Sequence, residues 1–142
     1  MGSSKVRPLD KEGLERQSRF RYELRRFLRF GEDAARAAGI TGVQYHLMLH
    51  TQGFAGRDWA SVGELAERLQ TQPHGVLALV ARCEDAGLVR RQDNPDDGRL
   101  VEVHLTGKGR RLVAELGAQH RAQLGALAAV IEAARASAGD GG

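Results

Sequence analysis

The stretch NPDDGRLVEVHLT, residues 94–106, sets an aspartate and an arginine two positions apart across a glycine, at Asp97 and Arg99. In a turn, such a carboxylate can accept backbone N–H groups and fix the loop. It can also hold the guanidinium by a charge-assisted hydrogen bond. An arginine held at a loop tip suits the narrow, electronegative minor groove of A·T-rich DNA. Arg90 and Arg91, just ahead of the turn, add positive charge to the same region. The competing reading is a solvated turn whose surface ion pair is worth under ~1 kcal/mol.

A second group of candidates lies shortly before. Between Pro73 and Gly87 the spacing predicts a helix, with proline at its first position, where its missing N–H costs nothing. At 100° per residue, Val76, Val80 and Cys83 share one side, and His74, Ala78, Ala81, Arg82 and Asp85 lie opposite. Small outward residues let a backbone approach a major groove. Gln72, His74 and Arg82 can then hydrogen-bond base edges or phosphates. An ordinary solvated face is the alternative.

Other residue types allow other chemistry. His46 and His50 are four apart on a predicted helix, a metal-binding spacing that needs further ligands, such as His120. Cys83 could sense oxidants, but it falls on the inward stripe, where cysteine behaves as a small hydrophobe. Phe20, Phe27, Tyr45, His46 and Trp59 could line a ligand pocket or simply form core. The first helix carries Arg16, Arg19, Arg21, Arg25, Arg26 and Arg29, which could touch phosphate or pair with Glu12, Glu15 and Glu23. There is no Gly-rich phosphate loop, nucleophile motif or recognisable carboxylate pair, so no enzyme activity, cofactor or bound metal is expected.

The elements that must position these groups can be read from periodicity. Residues 12–38 predict a long helix, with Phe20, Leu24, Phe27 and Leu28 on one stripe and Phe30 and Ala34 on another. Gly39 ends it, and Gly31 should weaken its middle. Thr41 opens a second helix, with Val43, Leu47 and Met48 as its apolar face. A short extended piece is expected at Trp59. Ser61 and Glu64 then form a capping box for a third helix carrying Val62, Leu65, Ala66 and Leu69. Leu88 to Gln92 is a strand, and Asn94 to Gly98 a turn. In the strand after it, Val101, Val103 and Leu105 face inward, and Leu100, Glu102 and His104 outward. Thr106 caps a last long segment, which Gly117 and Gly125 should kink or divide.

This order, two helices, a helix-turn-helix, a hairpin and a helix, is mainly α with a small β-hairpin wing: a winged helix-turn-helix. The expected organisation is a disordered segment 1–11, an N-terminal helix 12–38 and a winged lobe 39–106. A C-terminal helix or helices 107–136 and a disordered tail 137–142 follow. The chain of 142 residues can bury its own core. Its net charge of +3 permits an anionic partner without demanding one. A lone cysteine and no apolar run of membrane length point to a cytoplasmic protein.

The stretch GELAERLQTQPHGVLALVARCEDAGLVRRQDNPDDGRLVEVHLTGKG resembles the MarR family of winged-helix transcriptional regulators. The matching residues are E-L-A at 64–66, Leu69, Val76, Val80, A-G-L-V-R at 86–90, D-x-R at 97–99 and L-T-x-K-G at 105–109. The resemblance spans roughly residues 12–132. It implies a homodimer, built from the terminal helices, that binds a pseudo-palindromic operator in double-stranded DNA. It further implies a repressor released by a small aromatic or phenolic ligand. Gln72, His74, Arg82, Arg90, Arg91 and Arg99 would contact DNA, with Asp97 orienting Arg99. The segment after Lys108 is short, so a final dimerisation helix should be truncated or fused to the one before. Two other classes stay open: a winged helix used for protein–protein interaction, and a regulator that senses metal or redox state.

Overall fold

The computed structural model describes residues 6–139. The elements are α1 (Lys11–Ala37), α2 (Gly42–Gln52), β1 (Trp59–Ser61), α3 (Val62–Leu69), α4 (Pro73–Asp85), β2 (Val89–Asp93), β3 (Val101–Leu105) and α5 (Gly107–Gly139). They form two compact units. One is Glu32–Gln119, and the other joins the chain up to Gly31 with the chain from His120 onward. Of the termini expected to be disordered, 1–5 and 140–142 lie outside the described residues, whereas helix continues through 137–139.

Local chemistry sets most boundaries. Asp10 Oδ1 accepts the Gly13 N–H at 2.8 Å and caps α1. The helix ends where Gly39 takes φ +85°, with Ile40 N–H bonded to Ala35 O and Gly39 N–H to Arg36 O. Thr41 and Gln44 form a reciprocal capping box at α2. Ser61 and Glu64 form the expected one at α3. Gly87, at φ +74°, closes α4 in the manner of Gly39: Leu88 N–H reaches Cys83 O and Gly87 N–H reaches Glu84 O.

The larger unit buries one apolar core, with Leu47, Met48, Leu65, Val76, Val80, Cys83, Leu88 and Val103 fully enclosed. Along α2 the buried set is Tyr45, Leu47, Met48 and Thr51, while Val43 is 52% exposed. The expected stripe through Val43 was therefore rotated; Tyr45 and Thr51 complete the inward face.

The hairpin is part of a three-stranded antiparallel sheet ordered β1-β3-β2. The extended piece at Trp59 pairs with β3, Trp59 opposite His104 and Ser61 opposite Glu102. On its other side β3 pairs with β2, Arg90 opposite His104 and Gln92 opposite Glu102. β3 is thus a central strand. Its expected outward face is corrected: Glu102 is only 4% exposed and His104 is half-buried.

The L-T-x-K-G residues lock the start of α5 onto the end of α4. Thr106 Oγ1 donates to Gly87 O at 2.6 Å and accepts the Gly109 N–H at 3.1 Å. Lys108 Nζ donates to Ala86 O at 2.9 Å, a carbonyl at the C-cap of α4. A Cβ on Gly109 would lie 2.2 Å from Leu88 O, so only glycine lets the two backbones approach this closely.

α5 is a single helix of 33 residues. Gly117 and Gly125 do not divide it; a Cβ at either would meet open space. The terminal segment is accordingly one fused helix. Gly31 likewise leaves α1 unbroken. Its missing Cβ makes room for His120 Nε2, which would lie 2.8 Å from a Cβ there. In the unit that holds them, the His120 ring also meets Phe30 and Phe27 edge-on, at 5.3 and 6.1 Å between centroids. Leu14, Tyr22, Leu28, Leu124 and Ile131 of that unit are exposed. No helix among the described residues is long and apolar enough to cross a membrane.

Candidate nucleic-acid interface

α3, the turn at 70–72 and α4 form the helix-turn-helix. The turn is tight because Gln70 takes a left-handed φ of +53°. Thr71 N–H thereby reaches Ala66 O, and Gln70 N–H reaches Glu67 O. Gln72 precedes Pro73 at the start of α4, and its side chain makes no capping bond. Gln72, Pro73 and His74 are exposed at this end, where the helix dipole is positive. Val76, Leu79, Val80 and Cys83 are buried; His74, Leu77, Ala78, Arg82 and Asp85 are exposed. Of the outward face read from the sequence, His74, Ala78, Arg82 and Asp85 are exposed, whereas Ala81 is half-buried.

The wing begins at Asn94, whose N–H bonds Leu100 O at 3.0 Å. Asn94 Oδ1 accepts the N–H groups of Asp96 and Asp97, each at 2.9 Å. Asp97 Oδ1 then accepts Arg99 N–H at 3.0 Å and Arg99 Nε at 3.2 Å. The Arg99 side chain, held from below, remains 92% exposed. Asp97 thus has the orienting position read from D-x-R.

Arg90 and Arg91 are consecutive on β2, so they point to opposite faces of the sheet. Arg90 Nη1 donates to Gln92 Oε1 at 2.7 Å, and Arg91 Nε pairs with Glu84 of α4 at 2.8 Å. Both are exposed, but Arg91 already serves an ion pair joining strand to helix. Asn94, seen in the sequence only as a turn former, organises the loop; an asparagine two and three residues before a pair of aspartates was the available signal.

The candidate pocket residues take separate roles. Tyr45 is 5% exposed, a core residue whose hydroxyl pKa burial pushes up. Its ring lies 5.9 Å from that of His46. Trp59 is engaged by the Arg57 guanidinium, 3.8 Å from its centroid, and by the His104 ring at 6.2 Å. Phe20 and Phe27 are half-buried on α1. Burial pushes the His50 pKa down, helped by the nearby charges of His46 and Arg68. Among the described residues, no group of three or more His, Cys, Asp or Glu could hold a metal ion. Burial also pushes the Cys83 thiol up to about 11, although the Arg82 charge opposes it.

Residues 38–100 match the model of the MarR family. The chain is 35% identical over 48 residues to the HTH-type transcriptional repressor MdtR of Bacillus subtilis (strain 168), which is 34% of this chain and 31% of that one. It is 33% identical over 89 residues to YhbI of the same strain, described as an uncharacterized HTH-type transcriptional regulator, covering 61% and 54%. The chain thus spans roughly a third to a half of the length of these curated relatives. Its fold is that of AbsC, a MarR family transcriptional regulator from Streptomyces coelicolor, with a TM-score of 0.69 at 20% identity over 86% of this chain and 82% of that one. Residues 38–100, under half of the chain, thus resemble the MarR family, and the chain shares the fold of its solved members. A mutant MarR from E. coli, solved complexed with operator DNA, has the same fold, with a TM-score of 0.59 at 21% identity over 78% and 76%. The MarR match takes in α2 through β2 and the wing tip with Asp97 and Arg99, and stops before L-T-x-K-G.

Proposed function

We propose that this chain is a regulator of the MarR family: a homodimeric, DNA-binding transcriptional repressor that acts in the cytoplasm on a pseudo-palindromic operator. The observation that carries the reading is Arg99, 92% exposed yet bonded twice to Asp97 in the same unit as the exposed face of α4. A guanidinium pre-oriented at a wing tip loses little side-chain freedom on entering a minor groove. Gln72, His74 and Arg82 on α4 would meet the major groove, with Arg90 on phosphate; Arg91 would reach phosphate only by leaving Glu84. Two relatives support this: MdtR is a transcriptional repressor, and the E. coli MarR mutant was solved with operator DNA. The exposed apolar residues of α1 and α5 supply a surface for a second copy, and the two-fold of a dimer matches two half-sites. Release by a small aromatic or phenolic ligand extends the resemblance alone. The reading assigns no catalysis.

The test is a titration of a fluorescent duplex from the chain's own upstream region against a scrambled duplex, at two salt concentrations. The expected preference is about 10³-fold or more, with affinity falling steeply as salt rises. Arg99→Ala should weaken specific binding roughly tenfold or more while the melting temperature stays put. Weak, equal binding to every duplex, including those from a random selection, would instead favour a protein–protein interaction module.

A further inference from the structure

Glu102 is a carboxylate on the central strand, 4% exposed and unused by the reading above. Burying a carboxylate is costly unless donors surround it. Here Oε1 lies 2.7 Å from His104 Nε2, and Oε2 accepts Asn94 Nδ2 at 2.7 Å. His104 is itself stacked on Trp59, so its ring is steadied from β1. The bond to Asn94 has a further consequence. A terminal amide has an acceptor end and a donor end and can rotate between them. Glu102 only accepts, so it holds the Nδ2 end on the sheet side and leaves Oδ1 facing the turn. That oxygen is the one bonded by the Asp96 and Asp97 N–H groups. Asp97 in turn grips the main chain and Nε of Arg99. An unbroken series of hydrogen bonds therefore runs from a buried carboxylate to the exposed guanidinium at the wing tip.

We propose that Glu102 is the positioning residue of the wing: by orienting the Asn94 amide it sets the turn that aims Arg99, and so tunes DNA affinity from inside the sheet. The last step rests on the DNA-binding reading; the orientation of the turn does not.

Glu102→Leu keeps much of the side-chain volume and removes the acceptor, whereas Glu102→Gln retains an acceptor oxygen for Asn94. Amide hydrogen exchange on the full chain reads the turn directly. In Glu102→Leu the Asp96 and Asp97 amides should exchange at least ~10-fold faster, with α4 amides such as that of Val80 unchanged; Glu102→Gln should stay near wild type. Unchanged Asp96 and Asp97 exchange in Glu102→Leu would overturn the proposal. If that variant unfolds, Asn94→Ala breaks the series at the loop and must show the same two-amide signature; without it the proposal fails. Operator affinity supplies the second arm. Glu102→Leu should weaken binding ~3- to 10-fold, and not at all in an Arg99→Ala background, because both act through one guanidinium. An equal loss in both backgrounds would overturn the link to Arg99, as would undiminished binding in the variant. If wild type prefers no duplex, the regulator reading falls, and the exchange arm still decides whether Glu102 orients the wing.

Discussion

Two residues show how burial decides reactivity and aim. Cys83 is fully enclosed on α4, and its thiol is pushed up to about 11. At pH 7 the thiol is thus held in its protonated, unreactive form, and the sulfur lies inside the core. Cys83 should therefore resist a thiol-reactive disulfide at neutral pH in the folded protein and react once denaturant is added. Rapid labelling of the native chain would revive a redox-sensing role. Arg99 is the opposite case. It is exposed, but both its main chain and Nε are tied to Asp97, so its charge is presented in one direction. The pair contributes little stability on an open surface. Its worth lies in orientation, which is why Arg99→Ala is expected to alter binding and leave melting unchanged.

At the scale of elements, two backbone positions are decisive. The α3–α4 turn depends on Gln70 in the left-handed region, where a Cβ is unfavourable. Gln70→Gly should relieve that strain and stabilise the chain by about 0.5–1 kcal/mol, partly offset by the freer unfolded chain, as read from urea unfolding. No change or a loss would show that the Gln70 side-chain bond to Glu67 O outweighs the strain. The α4–α5 junction behaves in the reverse way. Gly109→Ala would drive a methyl to 2.2 Å from Leu88 O, a backbone atom that cannot swing aside. A loss of about 1–3 kcal/mol is expected, with the strand-to-helix junction loosened first. Glu64 also works at this scale. Burial alone would raise its pKa. The hydrogen bonds from Arg57 and Ser61, with the Arg57 charge, outweigh it and hold the carboxyl below its ordinary value. The stabilisation of the α3 cap is therefore present above the ordinary carboxylate range and is lost as pH falls through the lowered value.

The whole molecule comprises two compact units. The unit of the terminal helices leaves Leu14, Tyr22, Leu28, Leu124 and Ile131 exposed, far more apolar side chain than a solvated helix needs. A second copy of the chain would cover it. Leu124→Glu sits on an exposed position of α5, so it should leave the fold intact and shift sedimentation from dimer to monomer at micromolar concentration. Binding to a two-half-site operator should fall with it. A wild-type chain that sediments as a monomer would remove the dimer from the proposed function.

Local chemistry was legible without any structure. Capping at Ser61, the proline at the start of α4, the glycine stops at Gly39 and Gly87 and the D-x-R turn depend on residues within a few positions of one another. Helical periodicity likewise separated the inward Val76, Val80 and Cys83 from the outward His74 and Arg82. The resemblance to the MarR family extended these local signs to an expected architecture. Tertiary structure alone decided the pairing of Trp59–Ser61 with β3, which made that strand central and enclosed Glu102. It alone committed Arg91 to Glu84, made Gly31 a point of close approach rather than a weak spot, and showed what Gly109 is needed for. The reason is physical: caps, turns and periodicity follow from dihedral preferences and neighbours along the chain. Burial of a charge, its partner and the clearance beside a glycine depend on atoms brought together from distant parts of it.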